Sequence, residues 1–154
     1  MILEEKQMDL FKVPVYYYFA QCISADLAMG AGIATQFNKR FNTKNTILKI
    51  YGDSVSKQIY KTWKPSSSVE KVRLIRVGRV FCLVTKAMHY DKPTYTDLSR
   101  SLQFLKEELD DRCIKYIAMP RIGCGLDKLE WNKVKTIINS IFADSDINIL
   151  VCYM

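Results

Sequence analysis

Lys86 ends a run of six uncharged residues, Val80-Phe81-Cys82-Leu83-Val84-Thr85. An amine at the end of a buried strand can contact a phosphate. If it is partly desolvated, it can instead act as a nucleophile or proton acceptor. A lysine that snorkels into solvent is the alternative. Two glycine-rich turns lie on either side of it in the chain. Ile23-Ser24-Ala25-Asp26-Leu27-Ala28-Met29-Gly30-Ala31-Gly32-Ile33 follows one apolar run, and Pro120-Arg121-Ile122-Gly123-Cys124-Gly125-Leu126-Asp127 follows another. Glycines there let the backbone approach a ligand closely, and a helix start behind them supplies free N–H groups that favour an anion. Two such turns converging from one sheet would cradle a phosphorylated small molecule.

The other chemistry-bearing residues each admit a local reading. Asp127, with Glu130 three residues on and just before Trp131, can cap the final helix, and a cap can still turn its second oxygen to a ligand. Ser24 binds a ribose hydroxyl or closes a turn. Asp9 accepts from an amino group or caps a turn. Cys124 invites a thiol nucleophile, but the one histidine, His89, reads as a loop residue, which leaves a Cys–His pair with little support.

The elements that must position these residues alternate between strand and helix. Val15–Cys22 is an aromatic and β-branched run that reads as a buried strand. Ile33, Ala34, Phe37 and Phe41 share one helical face behind the first turn. Residues 44–62 read as a more polar helical stretch, and Lys64-Pro65-Ser66-Ser67-Ser68 as a loop. Strands over 72–77 and 80–85 flank Gly78-Arg79 as a hairpin. Thr94 and Asp97 resemble a capping box ahead of a helix striped by Leu98, Leu102, Leu105 and Leu109. A strand over 114–119, a helix carrying Trp131, Val134, Ile137, Ile138, Ile141 and Phe142, and a strand over 147–152 complete the series. The pattern predicts an α/β sheet covered on both faces, mixed because of the hairpin. In such sheets ligands bind outside the carboxyl ends of the strands, where Ile23 to Gly32, Thr85-Lys86 and Pro120 to Asp127 should meet.

Composition narrows the function classes. The chain has 154 residues, 49% hydrophobic and 25% charged, which fits one domain over 1–154 able to fold as a monomer. No apolar run approaches the roughly 20 residues that span a bilayer. Met1-Ile2-Leu3-Glu4-Glu5-Lys6 lacks the pattern of a secretory signal, so the expected location is cytoplasmic, or nuclear in a cell that has a nucleus. Five cysteines without CxxC spacing argue against a disulfide framework or a zinc site. The net charge of +7 suits anionic partners, but the basic residues are dispersed and form no nucleic-acid motif.

Cys22-Ile23-Ser24, Met29-Gly30-Ala31-Gly32-Ile33-Ala34, Leu83-Val84-Thr85-Lys86, Lys92-Pro93-Thr94-Tyr95 and Met119-Pro120-Arg121-Ile122-Gly123-Cys124-Gly125-Leu126-Asp127 together resemble the macrodomain family. Within it they are similar to the terminal ADP-ribose protein glycohydrolase branch, in the same order from Asp9 to the C-terminus. The resemblance implies a three-layer α/β/α sandwich with a mixed, mostly parallel sheet that binds ADP-ribose. It implies that Asp9 and Leu10 lie at the adenine, with Asp9 accepting from the exocyclic amine. Gly30, Ala31, Gly32 and Ile33, together with Pro120, Ile122, Gly123, Cys124, Gly125 and Leu126, would enclose the diphosphate and distal ribose. Ser24 would stand near that ribose where many macrodomains carry asparagine, and Thr85 joins the ligand-binding set. Met8 departs from the family's usual glycine on the adenine side.

The same resemblance implies that Lys86 attacks the anomeric carbon and releases the carboxylate of a modified Glu or Asp. Asp127 then resolves the lysyl adduct. An ester-linked carboxylate leaves readily, so this chemistry demands no metal or cofactor. A carboxylate beside Lys86 favours the ammonium form, so either Asp127 would have to accept a proton during attack or burial would have to offset its charge. Mono-ADP-ribosylated proteins are the expected partners, with O-acetyl-ADP-ribose as a further substrate. The alternatives are ADP-ribosylated nucleic acid, a module that binds ADP-ribose without cleaving it, and a phosphatase acting on ADP-ribose 1″-phosphate.

Overall fold

Strands with no polar face must be covered on both sides. Tyr18–Ser24 (β2) and Val80–Lys86 (β4) are such strands, buried along almost their whole length. The structure is a computed structural model describing residues 1–154. Here β2 and β4 sit inside a six-stranded sheet with β1 (Ile2–Gln7), β3 (Leu74–Val77), β5 (Tyr116–Met119) and β6 (Asn148–Tyr153). The order is β1-β6-β5-β2-β4-β3, and every neighbouring pair is parallel except β3 and β4. That pair is the hairpin across Gly78-Arg79, with Val77 opposite Val80 and Gly78 at φ 58° as a tight turn requires.

Alternation along the strands sorts the core into two layers. Cys82 and Val84 face Phe37, Ile47, Ile59 and Trp63. These come from α1 (Gly32–Phe41), α2 (Thr43–Tyr51) and α3 (Val55–Trp63). Phe81 and Leu83 face Leu98, Leu102 and Leu105 of α4 (Tyr95–Asp111), and Val134 and Ile138 of α5 (Trp131–Ile141), on the other side. The result is an α/β/α sandwich. Thr94 Oγ1 accepts from the Asp97 N–H at 3.0 Å, so α4 starts at the expected cap. No helix is long and apolar enough to cross a membrane.

Several boundaries differ from the sequence reading. Pro14–Tyr17 is a turn closed by Tyr17 N–H on the Pro14 carbonyl at 3.1 Å, and β2 begins only at Tyr18. The stretch 44–62 is two helices, because Gly52 at φ 95° ends α2. Asp127 does not cap the last helix; Glu130 holds that position, and its side chain makes no capping hydrogen bond. Strand β1 has no counterpart in the sequence reading. It pairs in parallel with β6 at the sheet edge, from Ile2 opposite Asn148 to Gln7 opposite Tyr153.

Candidate active site

Three adjacent parallel strands, β5, β2 and β4, end at one edge of the sheet. The pairing of β2 with β4 slips one residue at its end, which puts Ser24 opposite Lys86. Beyond the strands the two segments stay tied: Ala25 N–H donates to the Lys86 carbonyl at 2.9 Å, and Asp26 N–H to Ala87 at 3.2 Å. These main-chain bonds fix where the Lys86 side chain leaves the sheet. Its ammonium donates to Asp127 Oδ1 at 2.6 Å, and the two side chains are only 14% and 15% exposed. A charge-assisted hydrogen bond this short and sheltered holds both groups in one geometry.

The pair lines a cavity of about 430 Å³ walled by both glycine turns. Ser24, Gly30, Ala31, Gly32, Ile33, Pro120, Ile122, Gly123, Gly125 and Leu126 all line it, as do Arg121, His89 and Lys92. A second cavity of about 600 Å³ adjoins it, sharing Ile33, Pro120, Arg121 and Gly125, and carries Met8, Asp9, Leu10 and Cys124 on its wall. Thr85 lines neither; it is buried within β4, and its hydroxyl has no protein partner. Asp9 fills one of its expected roles, with Oδ1 accepting from Phe11 N–H at 2.9 Å to cap a short 3-10 turn, Leu10–Lys12.

Helix α1 opens onto the first cavity without a side-chain cap, because the N-cap residue is Ala31. Its first N–H groups therefore remain available to an anion. Arg121 adds a cation where the two cavities meet, its guanidinium 4.1 Å from the Tyr153 ring centre and 3.7 Å from Glu5. Lys92 Nζ donates to the Leu126 carbonyl at 2.7 Å, joining the segment after β4 to the second glycine turn. Leu126 in turn leans on the first turn: a Cβ on Gly32 would come within 3.3 Å of its Cδ1.

Gly123 is constrained on two counts. Its φ is 73°, and a Cβ there would come within 2.9 Å of Leu129 Cδ1. Gly123→Ala should therefore shift the second turn and lower stability by about 1–3 kcal/mol. Chemical denaturation would check this, and parent-like stability would show that the turn accommodates the methyl group.

The thiols are poor nucleophiles. Burial, with Asp127 nearby, pushes the Cys22 thiol on the cavity wall up to about 12. Burial also raises Cys124, whose Sγ donates to the Ile122 carbonyl. No histidine partners either one. His89 instead bonds Asp26, a residue the sequence reading gave no role; Arg121 and Lys92 were likewise missed as cavity residues. Burial alone would raise the Asp26 pKa. Hydrogen bonds from Ser24, from the His89 ring and backbone, and from the Ala28 N–H outweigh that and hold it at about 2. Ser24 thus closes a turn through its hydroxyl while standing on the cavity wall.

No family model matches the chain. Among characterised proteins it is 38% identical over 144 residues to ADP-ribose glycohydrolase OARD1 of Homo sapiens, covering 93% of this chain and 86% of the relative. Among solved structures it superposes on the macrodomain of Thermus aquaticus DarG with a TM-score of 0.76, at 19% identity and 99% coverage of both chains. It also superposes on Thermosipho africanus DarTG in complex with ADP-ribose, with a TM-score of 0.69 at 18% identity, covering 98% of this chain and 41% of that one.

Proposed function

The chain belongs to the ADP-ribose glycohydrolases of macrodomain fold and is an ADP-ribosyl hydrolase, and from that premise we propose that it frees mono-ADP-ribose from modified Glu and Asp side chains through Lys86 and Asp127. Adenine occupies the cavity beside Asp9 and Leu10. The diphosphate runs between the uncapped start of α1 and the second glycine turn, past Arg121. The distal ribose rests over Lys86. This path is supported by two adjoining cavities that share Ile33, Pro120, Arg121 and Gly125.

Lys86 passes one ammonium proton to Asp127 and attacks the anomeric carbon as the free amine. The carbon–oxygen bond breaks, its electron pair leaves on the carboxylate, Asp127 gives its proton up to solvent, and the adduct nitrogen remains a secondary ammonium. In the second half, that nitrogen leaves with the carbon–nitrogen electron pair, and Asp127 takes a proton from the incoming water and returns it to Lys86. Splitting one displacement into two is what an amine nucleophile contributes. The observation that carries the proposal is the 2.6 Å Lys86–Asp127 contact on the cavity wall. A protein that only binds ADP-ribose has no use for that pair. O-acetyl-ADP-ribose offers a comparable ester and is a further candidate substrate.

The test sets a protein bearing hydroxylamine-labile mono-ADP-ribose beside ADP-ribosylated DNA and follows free ADP-ribose. Release from the protein is expected. Turnover of DNA alone would overturn the acceptor class, and binding without release would overturn the mechanism.

A further inference from the structure

One pair of titratable side chains, of which His89 lines this cavity, takes no part in the displacement above. Asp26 Oδ2 accepts from the backbone N–H of His89 at 3.0 Å and lies 2.8 Å from its Nδ1. Its other oxygen accepts from the Ser24 hydroxyl and, at 3.1 Å, from the Ala28 N–H. An ionised carboxylate can only accept, so Nδ1 carries the hydrogen and Nε2 is the ring nitrogen left for a ligand. The ring also meets Tyr90 edge to face, with centroids 5.2 Å apart. His89 is therefore aimed, although its side chain is 60% exposed and stands on the wall of the same cavity as Lys86.

A displacement needs its nucleophile and leaving group on opposite sides of the carbon. Lys86 is the sheltered group and His89 the exposed one, three residues later on the same segment. The acceptor is a macromolecule and must leave through the open side. On the path proposed above, the diphosphate runs the other way, past Arg121 towards the cavity that Asp9 lines. We infer that His89, oriented by Asp26, meets the acceptor side of the scissile bond and, when protonated on both nitrogens, donates Nε2–H to the oxygen that leaves the anomeric carbon. This rests on the hydrolase reading above. In that step the carbon–oxygen electron pair departs on the carboxylate, the proton of the attacking nitrogen goes to Asp127, and the His89 hydrogen stays on the ring. Asp26 is the positioning residue.

The experiment measures single-turnover release from an ADP-ribosylated glutamate peptide and, separately, the Kd for free ADP-ribose. His89→Ala should slow release about tenfold or more, the scale of a hydrogen bond to a charged group, and leave the Kd within about twofold. His89→Gln, which keeps an N–H donor, should recover part of the rate. Release at the wild-type rate by His89→Ala would overturn the inference. So would a Kd that weakens in step with the rate, since the ring would then grip ADP-ribose itself. A glutamine variant no faster than the alanine one would reduce the ring to a loop support. Wild-type protein that binds ADP-ribose but releases nothing would sink the hydrolase reading first, so the two failures are told apart.

Discussion

Lys86→Ala should bind ADP-ribose within a few-fold of the parent protein and release it from a modified acceptor on the order of 10³-fold more slowly. The rate loss follows from removing the only amine paired with Asp127 on the cavity wall. Affinity survives because the glycine turns, Arg121 and the start of α1 are untouched. The alanine variant also leaves the Asp127 carboxylate without its cation. Lys86→Arg separates the two effects, since a guanidinium preserves the charge pair but is a far weaker nucleophile at neutral pH. Both variants should be inactive, with the arginine protein the more stable of the two. Calorimetric titration with ADP-ribose and quenched single-turnover release would measure this. Near-parental release by Lys86→Ala would remove the nucleophile from the mechanism.

Asp127→Asn is expected to fail later in the cycle. The amide keeps a carbonyl oxygen for the Lys86 amine but cannot take a proton from the Lys86 ammonium or from water. Loss of acid–base help of this kind slows a step about 10²–10⁴-fold. If the first displacement is the less affected, Asp127→Asn should carry a covalent ADP-ribosyl group on Lys86. Intact-protein mass spectrometry after incubation with modified substrate would detect it. Peptide mapping would place it, and Lys86→Ala should show none. A slow variant that never accumulates the adduct would argue for direct attack by water.

The layered fold was largely legible, because its signals are local. The stripe from Leu98 to Leu109 and the Thr94–Asp97 cap define α4 within a few turns of chain, and the uncharged run before Lys86 marks a strand buried on both faces. Strand β1 escaped because Glu4, Glu5 and Lys6 mask it; its pairing depends on β6, at the far end of the sequence. The aromatic run before β2 misled for the opposite reason. Tyr16 and Tyr17 have strand propensity, but Pro14 sets a turn, and both rings pack on Tyr116.

At the site, the glycine turns announce themselves by composition, whereas the pairs that give it chemistry are distant in sequence. Lys86 meets Asp127 across 41 positions and His89 meets Asp26 across 63. Asp127 shows the cost of a purely local view. Its spacing to Glu130 is that of a helix cap, yet tertiary folding gives it to the lysine. His89 showed no partner because the aspartate that aims it lies on the other side of the first glycine turn's strand pairing with β4.

β1 depends on the strand farthest from it along the sequence. It borders only β6, so it cannot dock until β6 has formed. Glu5 rides on β1. It receives Trp131 Nε1 and Lys135 Nζ, each at 2.7 Å, and sits 3.7 Å from Arg121 on the wall of the binding cleft. An intermediate without the β1–β6 pairing therefore lacks the carboxylate beside that guanidinium, whose setting is completed only when these two strands meet.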